Sequence, residues 1–381
     1  LLLFKDIHCF RIQIHDCGIA NIVVQPMLEN RVNKEILKQR LAGETFNRKT
    51  LSFYRYVTIA NPSEFRDELF RKWSEMNCFG RIYVAREGIN AQMSVPENSL
   101  DDFLLHLSST PGLAEMPIKY ALVDNGKSFY KLTIKVRPKI VADGLGHDTY
   151  DLSKVGKHLS ALEFHELAGK PETVIIDMRN HYESEIGRFE NAVCLDADTF
   201  KDAIQMVVQD FELHKDKKIL LYCTGGIRCE KASSFLLHNG FTDVSQLYGG
   251  IIEYAQQIKH LGLPSKFTGK NFVFDDRLGE TIDGKVISHC HQCGKPADTH
   301  VNCANDDCHL LFIQCSECAE KYEKCCSEDC REINQLPLEA RRALRSVNQR
   351  KYAGSKIYKS KLSPFLMKAD MLHDQATAIH G

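Results

Sequence analysis

The segment best equipped for nucleophilic chemistry is Cys223-Thr224-Gly225-Gly226-Ile227-Arg228. It follows the apolar run Ile219-Leu220-Leu221-Tyr222, which suits a buried strand, and it opens a helix expected over Cys229–Leu237. Gly225 and Gly226 permit a tight turn that points successive N–H groups inward. Such a nest at a helix N-terminus stabilises an anion and lowers a thiol pKa. Arg228 adds a fixed positive fork. Cys223 is therefore the candidate nucleophile. The alternative, a cysteine that merely ends a buried strand, needs neither the glycines nor the arginine. Cys229 is a second thiol, either a redox partner or a helix-packing residue.

A second chemistry lies further on. Of 15 cysteines, nine fall between Cys290 and Cys330. They pair as Cys290/Cys293, Cys303/Cys308, Cys315/Cys318, and Cys325 or Cys326 with Cys330. Four pairs suit two tetrahedral thiolate zinc sites. Alternate pairing puts Cys290, Cys293, Cys315 and Cys318 in one site and Cys303, Cys308, Cys326 and Cys330 in the other. Cys325 competes with Cys326, and His289, His291 or His309 could replace a thiolate. Closed four-thiolate sites keep no open position, so the expected role is structural; an RNA contact or a redox relay is the alternative. The opening Leu1-Leu2-Leu3-Phe4 is too short, and too soon broken by Lys5 and Asp6, for a secretory signal. Metal binding in a reducing cytoplasm is expected rather than a disulfide scaffold. His181-Tyr182-Glu183 is an HxE pair of the kind found in non-haem iron sites, but no third ligand can be named. The preferred reading has Glu183 pairing with a loop arginine and His181 on the surface.

These residues need a scaffold. The chain has 381 residues, 43% hydrophobic and 26% charged, with a net charge of −1. That length suggests two or three domains with sizeable cores. No apolar run approaches the roughly 18 residues of a membrane span. The pattern predicts an α/β multidomain chain. Residues 1–44 form an extension with a short helix over Lys34–Leu41. Residues 45–142 follow a β-α-β-β-α-β order that suits a ferredoxin-like α+β sheet, ending on a strand of period two over Phe129–Arg137. Asp143, Gly144, Leu145 and Gly146 mark a boundary. Residues 150–268 alternate strand and helix, as a parallel sheet requires. Residues 285–335 are the cysteine-rich metal module, and residues 336–381 a basic tail; ten Lys or Arg lie between Arg331 and Lys368. Lys131, Lys135 and Arg137, with Lys139 beyond and Arg81 and Arg86 added, offer a stripe for RNA phosphates. A solvated outer sheet face is the competing reading.

The cysteine loop resembles that of the rhodanese superfamily. Ile176-Asp177-Met178-Arg179, Ile186-Gly187-Arg188-Phe189 with Asn191-Ala192, and Tyr248-Gly249-Gly250-Ile251 fit the same fold over about 150–265. The Cys-x4-Arg loop is one residue shorter than that of related cysteine phosphatases, which argues against phosphate as substrate. Two flanking features narrow the resemblance. Gly80-Arg81-Ile82-Tyr83-Val84-Ala85-Arg86-Glu87-Gly88-Ile89-Asn90-Ala91-Gln92 precedes the rhodanese part, and the cysteine cluster follows it. With Cys223 to Lys231 reading CTGGIRCEK, the chain over about 50–335 resembles the tRNA uridine hydroxylase family, which joins an acylphosphatase-like domain to a rhodanese domain. The resemblance implies oxygen-dependent conversion of wobble uridine 34, in the tRNA anticodon loop, to 5-hydroxyuridine. Molecular oxygen would be co-substrate, with an electron donor that the sequence does not identify, and the motif cysteine falls on Cys223. The alternative is a sulfurtransferase carrying a persulfide on Cys223; a third is a non-catalytic RNA adaptor. Oligomeric state is left open.

Overall fold

The computed structural model describes residues 32–146, 149–337, 339–341 and 343–344. Residues 1–31 of the N-terminal extension lie outside the described residues, as does most of the basic tail; of the ten cations between Arg331 and Lys368, Arg331 and Arg341 are described. Among the described residues no helix is long and apolar enough to cross a membrane.

Helix α1 (Lys34–Ala42) is capped by Asn33, whose side chain accepts from the Glu35 N–H. It buries Leu37, and Lys38 pairs with Asp276 at 2.6 Å. The described part of the extension is thus a docked brace. The N-terminal sheet follows: β1 (Arg48–Tyr56), α2 (Pro62–Glu75), β2 (Phe79–Ala85), β3 (Gly88–Pro96), α3 (Leu100–Ser109), β4 (Lys119–Tyr120) and β5 (Leu132–Val136). Asn61 caps α2, and Pro62 occupies its first turn, where a missing N–H costs nothing. Strand order is β4-β1-β3-β2-β5. The expected β-α-β-β-α-β order is present, with one correction. Its last strand is the two-residue β4 on the β1 edge, while β5 is an added strand parallel to β2 on the opposite edge. Residues 129–131 and Arg137 fall outside β5, and Val136 is 41% exposed. One face of the sheet packs Phe53, Trp73 and Phe103 at centroid distances of 5.6–6.4 Å. Burying each such side chain contributes roughly 1.5–3 kcal/mol. The other face looks toward the second domain.

The second domain runs β6 (Lys157–Leu159), α4 (Ala161–Leu167), β7 (Thr173–Asp177), α5 (His181–Ile186), β8 (Gly187–Phe189), β9 (Val193–Cys194), α6 (Phe200–Asp210), β10 (Lys218–Tyr222), α7 (Ile227–His238), β11 (Asp243–Leu247) and α8 (Gly250–His260). Its sheet, β6-β11-β10-β7-β9, is parallel throughout. Separate apolar clusters cover its two faces. Beneath the strand ends Asp177 holds buried Arg179 and accepts from the Tyr222 hydroxyl at 2.7 Å. Cys223 follows the middle strand, at the carboxyl edge where open α/β sheets bind ligands.

The expected boundary at 143–146 is no loose linker. Asp143 is buried and accepts from Lys139 at 2.7 Å, Tyr150 at 2.8 Å and Lys231 at 3.0 Å. Lys231, on α7, also reaches Glu87 of the first domain at 2.9 Å. This closed set of charges fastens the N-terminal sheet onto the helix that starts at the cysteine loop.

β12 (Phe267–Asn271) pairs with β8 and with β13 (Glu280–Thr281) and leads to the cysteine module. There β14 (His300–Asn302) and β15 (Leu311–Ile313) form a two-stranded ribbon, followed by α9 (Ser316–Lys321) and α10 (Glu328–Gln335). Tyr182, Phe272 and His300 stack edge to face, so the module leans on α5.

Candidate active site

The cysteine loop is shaped by two glycines. Gly226 caps α7 at φ 98°, and Gly250 stands at φ 68° where a Cβ would lie 2.6 Å from the carbonyls of Cys223 and Thr224. Those carbonyls accept instead from the N–H groups of Ile251 and Ile252, at 3.0 and 3.3 Å. With its carbonyls drawn toward α8, the loop turns N–H groups to the sulfur. The Gly226 N–H donates to Cys223 Sγ at 3.1 Å. Burial pushes this thiol up, but the Cys229 S–H, the Arg228 charge and the N–H groups of Arg228 and Cys229 outweigh it and hold the pKa at about 5. Cys229 moves the other way: burial and the neighbouring thiolate push it well up. Cys223 is the thiolate and Cys229 its hydrogen-bond donor.

Arg228 borders the site, but its fork is engaged. Nη1 and Nη2 donate to the two carboxylate oxygens of Glu183 at 2.6 and 2.9 Å, and Nη2 also reaches the Thr224 hydroxyl at 3.2 Å. Glu183, fully buried on α5, also accepts from the Asn180 N–H at 3.0 Å. Arg228 thus braces the loop and adds positive field, and Thr224 is held to it. The pairing of Glu183 with a loop arginine agrees with expectation. His181 does not lie on the surface: it is 3% exposed, with Nε2 3.0 Å from Asp198. Among the described residues, the groups able to hold a metal are the two thiol sets alone.

A cleft of about 420 Å³ opens above the loop. One wall is the cysteine loop, including Thr224, Gly225 and Ile227; the other is the free face of the N-terminal sheet. Cys223 forms its floor and has no solvent-exposed surface. Three residues from the first domain close over it. The Tyr56 hydroxyl donates to the Ile227 carbonyl at 3.2 Å. The Tyr54 hydroxyl donates to Glu230 at 3.0 Å and would lie 2.8 Å from a Cβ on Gly226. Lys119, 7% exposed, sets its Nζ 4.8 Å above the Tyr54 ring. Burial lowers the Lys119 pKa, while Cys223, Glu253 and Glu230 oppose that effect. An ammonium thus faces the thiolate from the opposite domain. Motif reading missed Lys119 and Tyr54. The one available signal for Lys119 was a cation within an otherwise apolar approach to a very short strand.

The basic residues divide. Arg81 and Tyr83 are in register with Thr133 and Lys135 across β2 and β5, so Lys135 shares the cleft face. Arg81 borders the cleft and donates to the Phe274 carbonyl at 3.3 Å. Lys135 and Arg137 are exposed, and Arg137 lies 5.9 Å from the Tyr83 ring centroid. Lys131 turns toward Tyr130, 6.0 Å from its centroid, and Arg86 stands exposed at the β2–β3 turn. Lys139 does not extend the stripe: it is occupied by Asp143 and by the carbonyls of Leu145 and Gly146.

The nine cysteines fall into two groups of four, Cys290, Cys293, Cys315 and Cys318, and Cys303, Cys308, Cys326 and Cys330, with Cys325 outside. Within each, the sulfurs lie within 4.8 Å of one another. A tetrahedral ion with metal–sulfur bonds near 2.3 Å separates its sulfurs by about 3.8 Å. Cys293 and Cys315 are 3.6 Å apart; Cys326 is 3.7 Å from both Cys308 and Cys330. The Cys326 N–H and the Asn305 amide donate to the sulfurs of Cys303 and Cys330, as outer-shell partners do in thiolate sites. The donor sets fit a tetrahedral metal.

Three family models match the chain: a UPF0176 acylphosphatase like domain over residues 48–140, a rhodanese-like domain over 160–257 and a Rhodanase C-terminal segment over 268–331. The chain is 50% identical over 334 residues to a tRNA uridine(34) hydroxylase of Photorhabdus laumondii, covering 87% of this chain and 94% of that protein. It is 52% identical over 334 residues to the protein of that name from an Enterobacter species, covering 87% and 95%. Among solved structures, a rhodanese-related protein of Thermoplasma volcanium is 22% identical, with a TM-score of 0.22, covering 28% of this chain and 95% of that one.

Proposed function

The chain belongs to the tRNA uridine(34) hydroxylase family, and from that membership we infer that it hydroxylates the wobble uridine of tRNA, with Cys223 as nucleophile. The observation that carries the role of Cys223 is a thiol held at about pKa 5 on the floor of a cleft whose other wall comes from a second domain.

Uracil C5 is unreactive toward oxygen until electron density is raised there. The Cys223 thiolate adds to C6, and the displaced charge spreads over C5 and O4. Lys119 supplies the facing cation for that charge, and the loop N–H groups take up the thiolate in its resting state. C5 then attacks molecular oxygen, giving a C5 hydroperoxide after one proton is taken up. Two electrons from an external reductant, a thiol that is oxidised to its disulfide, and two further protons cleave the O–O bond to leave a C5 hydroxyl and water. Loss of the C5 proton expels the thiolate from C6. The sum is uridine, oxygen, two electrons and two protons giving 5-hydroxyuridine and water. Arg228, engaged by Glu183, positions the loop and contributes field rather than a free fork.

Support for RNA contact at the cleft rim comes from Arg81, Arg86, Lys135 and Arg137, with Lys131 behind them, because an anticodon loop carries phosphates beside its splayed bases. Zinc is the metal we assign to the two thiol groups, in a structural role. A tRNA substrate and the unpaired thiols favour the cytoplasm. A persulfide on Cys223 is the competing chemistry. A rhodanese reading needs only the loop, however, and gives Lys119 and Tyr54 no task.

The test is nucleoside mass spectrometry of tRNA from cells lacking the protein and complemented with wild type or Cys223→Ala. An oxygen atom on uridine 34 restored by wild type alone supports the reading. Full hydroxylation by Cys223→Ala would sink the nucleophile, and loss of thiolated nucleosides with oxygen unchanged would favour sulfur transfer.

A further inference from the structure

The sheet face that looks into the cleft is set out by register. Lys119, Ser52, Gln92 and Arg81 form one row across β4, β1, β3 and β2; Tyr54, Asn90 and Tyr83 form the next. Directly paired residues share a face, and the alternate residues Phe53, Ala91 and Ile82 are buried in the core behind. Asn90 therefore stands between two tyrosines, one of which, Tyr54, rests against the Cys223 loop. It borders the same cleft as Cys223.

The amide of Asn90 is fixed. Its Nδ2 donates to the Ile140 carbonyl at 3.3 Å, a bond that the reversed amide could not make because two oxygens would meet. Oδ1 takes no hydrogen bond among the described residues, and in a residue that borders the cleft it is available as an acceptor. Uracil and cytosine differ at the matching place. Uracil carries a donor at N3, and cytosine carries an acceptor there. With C6 over Cys223 and N1 tied to the ribose, the ring keeps one in-plane orientation, and N3 lies across it from C6. A fixed acceptor attracts one pyrimidine and repels the other.

We propose that Asn90 is a specificity residue that accepts the N3–H of the target uracil. The proposal rests on the reading that Cys223 acts on uridine 34. It gives the N-terminal domain a task distinct from phosphate contact: reading the base.

The test is equilibrium binding by fluorescence anisotropy. Labelled anticodon stem–loop RNA would carry uridine, 3-methyluridine or cytidine at position 34, bound to the full chain. Leaving a buried acceptor unmatched weakens binding by roughly 5- to 150-fold. Wild type should prefer uridine over both other bases by about tenfold or more. Asn90→Ala should bring the three RNAs to within about twofold. Asn90→Leu, of similar shape and without polar atoms, should do the same, and it serves where the alanine variant does not fold, as judged by circular dichroism. Equal preference in wild type and a folded variant would overturn the proposal, as would a wild type indifferent to the N3 methyl. Nucleoside analysis in complemented cells separates this from the parent reading, since hydroxylation of uridine 34 by wild type stands or falls there independently.

Discussion

Replacing Cys229 with alanine should raise the pKa of Cys223 by about 1–2 units. After burial, which opposes the thiolate, the Cys229 S–H is the largest influence on this thiol, ahead of Arg228 and the backbone N–H groups. A hydrogen bond to a charged group contributes roughly 1.5–3 kcal/mol, and one pKa unit corresponds to about 1.36 kcal/mol. The midpoint should therefore move from about 5 into the range of about 6–7. The sign follows from the depressed pKa: thiolate-dependent activity is present above the midpoint and lost as pH falls through it. With a midpoint near 6.5, the thiolate fraction at about pH 6 drops from roughly nine-tenths to roughly a quarter. The assay is the ultraviolet absorbance of the thiolate, titrated as the difference between each protein and its own Cys223→Ser partner, which cancels the other cysteines. Cys229→Ser keeps a donor hydroxyl and should retain most of the depression. A Cys229→Ala protein whose Cys223 midpoint stays near that of wild type would refute the claim that this neighbour holds the thiolate.

Lys119→Met should slow hydroxylation by about a hundredfold or more and raise the Cys223 midpoint, because the facing cation is lost; an unchanged rate in single-turnover assays would remove Lys119 from the mechanism. Lys231→Met takes from Glu87 and Asp143 the cation they share, and breaking a buried ion set in this way costs about 3–5 kcal/mol, so the melting temperature should drop sharply; a melting temperature equal to wild type would show that the two domains do not depend on that lock. Metal analysis should find two zinc ions per chain, one for each thiol group, and Cys303→Ser should lose one of them while keeping the ion of Cys290, Cys293, Cys315 and Cys318. Gly250→Ala forces a Cβ to within 2.6 Å of two loop carbonyls, so tRNA hydroxylation should fall while Lys119 and the cleft wall stay in place; full activity would show that the loop tolerates a different path.

What could be read from the chain follows sequence distance. Cys223 to Cys229 lie on one short loop, so their chemistry is legible as a string of residues. The thiol groups are legible because cysteines paired three to five residues apart suit a tetrahedral ligand set, and the sulfurs group in the alternate pairing. The residues that close the site meet over long separations: Tyr54 with Glu230, Tyr56 with Ile227, Lys231 with Glu87. No local periodicity encodes such contacts. The two-residue β4 is too short to leave a pattern, so the longer period-two run at 129–137 took its place as the last strand. Asp143 sits in a glycine-rich turn and reads as punctuation, because a turn and a buried carboxylate look alike until the cations that pair with it are located.

The same distance argument bears on why a rhodanese loop would act on a base. A sulfur donor is small and needs only an exposed thiolate. Here the thiolate is covered, and Tyr54, Tyr56 and Lys119 of the first domain lie over its loop. Covering costs access but excludes water, which strengthens the field of Lys119 on any charge that develops at the pyrimidine. It also brings a second wall to the cleft, and a flat ring needs two walls. The Lys231, Glu87 and Asp143 set fixes that wall to the helix that begins at the cysteine loop. The two domains therefore need to be held in one geometry for either to be useful, which is why the lock is made of buried charge. Loosened, it would leave the buried Lys231 ammonium without its carboxylates, so intermediate arrangements are disfavoured. On this argument Lys231→Met should impair hydroxylation more than its loss of stability accounts for. At a temperature where the variant is still folded, sulfur transfer from a small donor to Cys223 should survive or rise while uridine hydroxylation falls; equal loss of both would mean that the first domain contributes only stability.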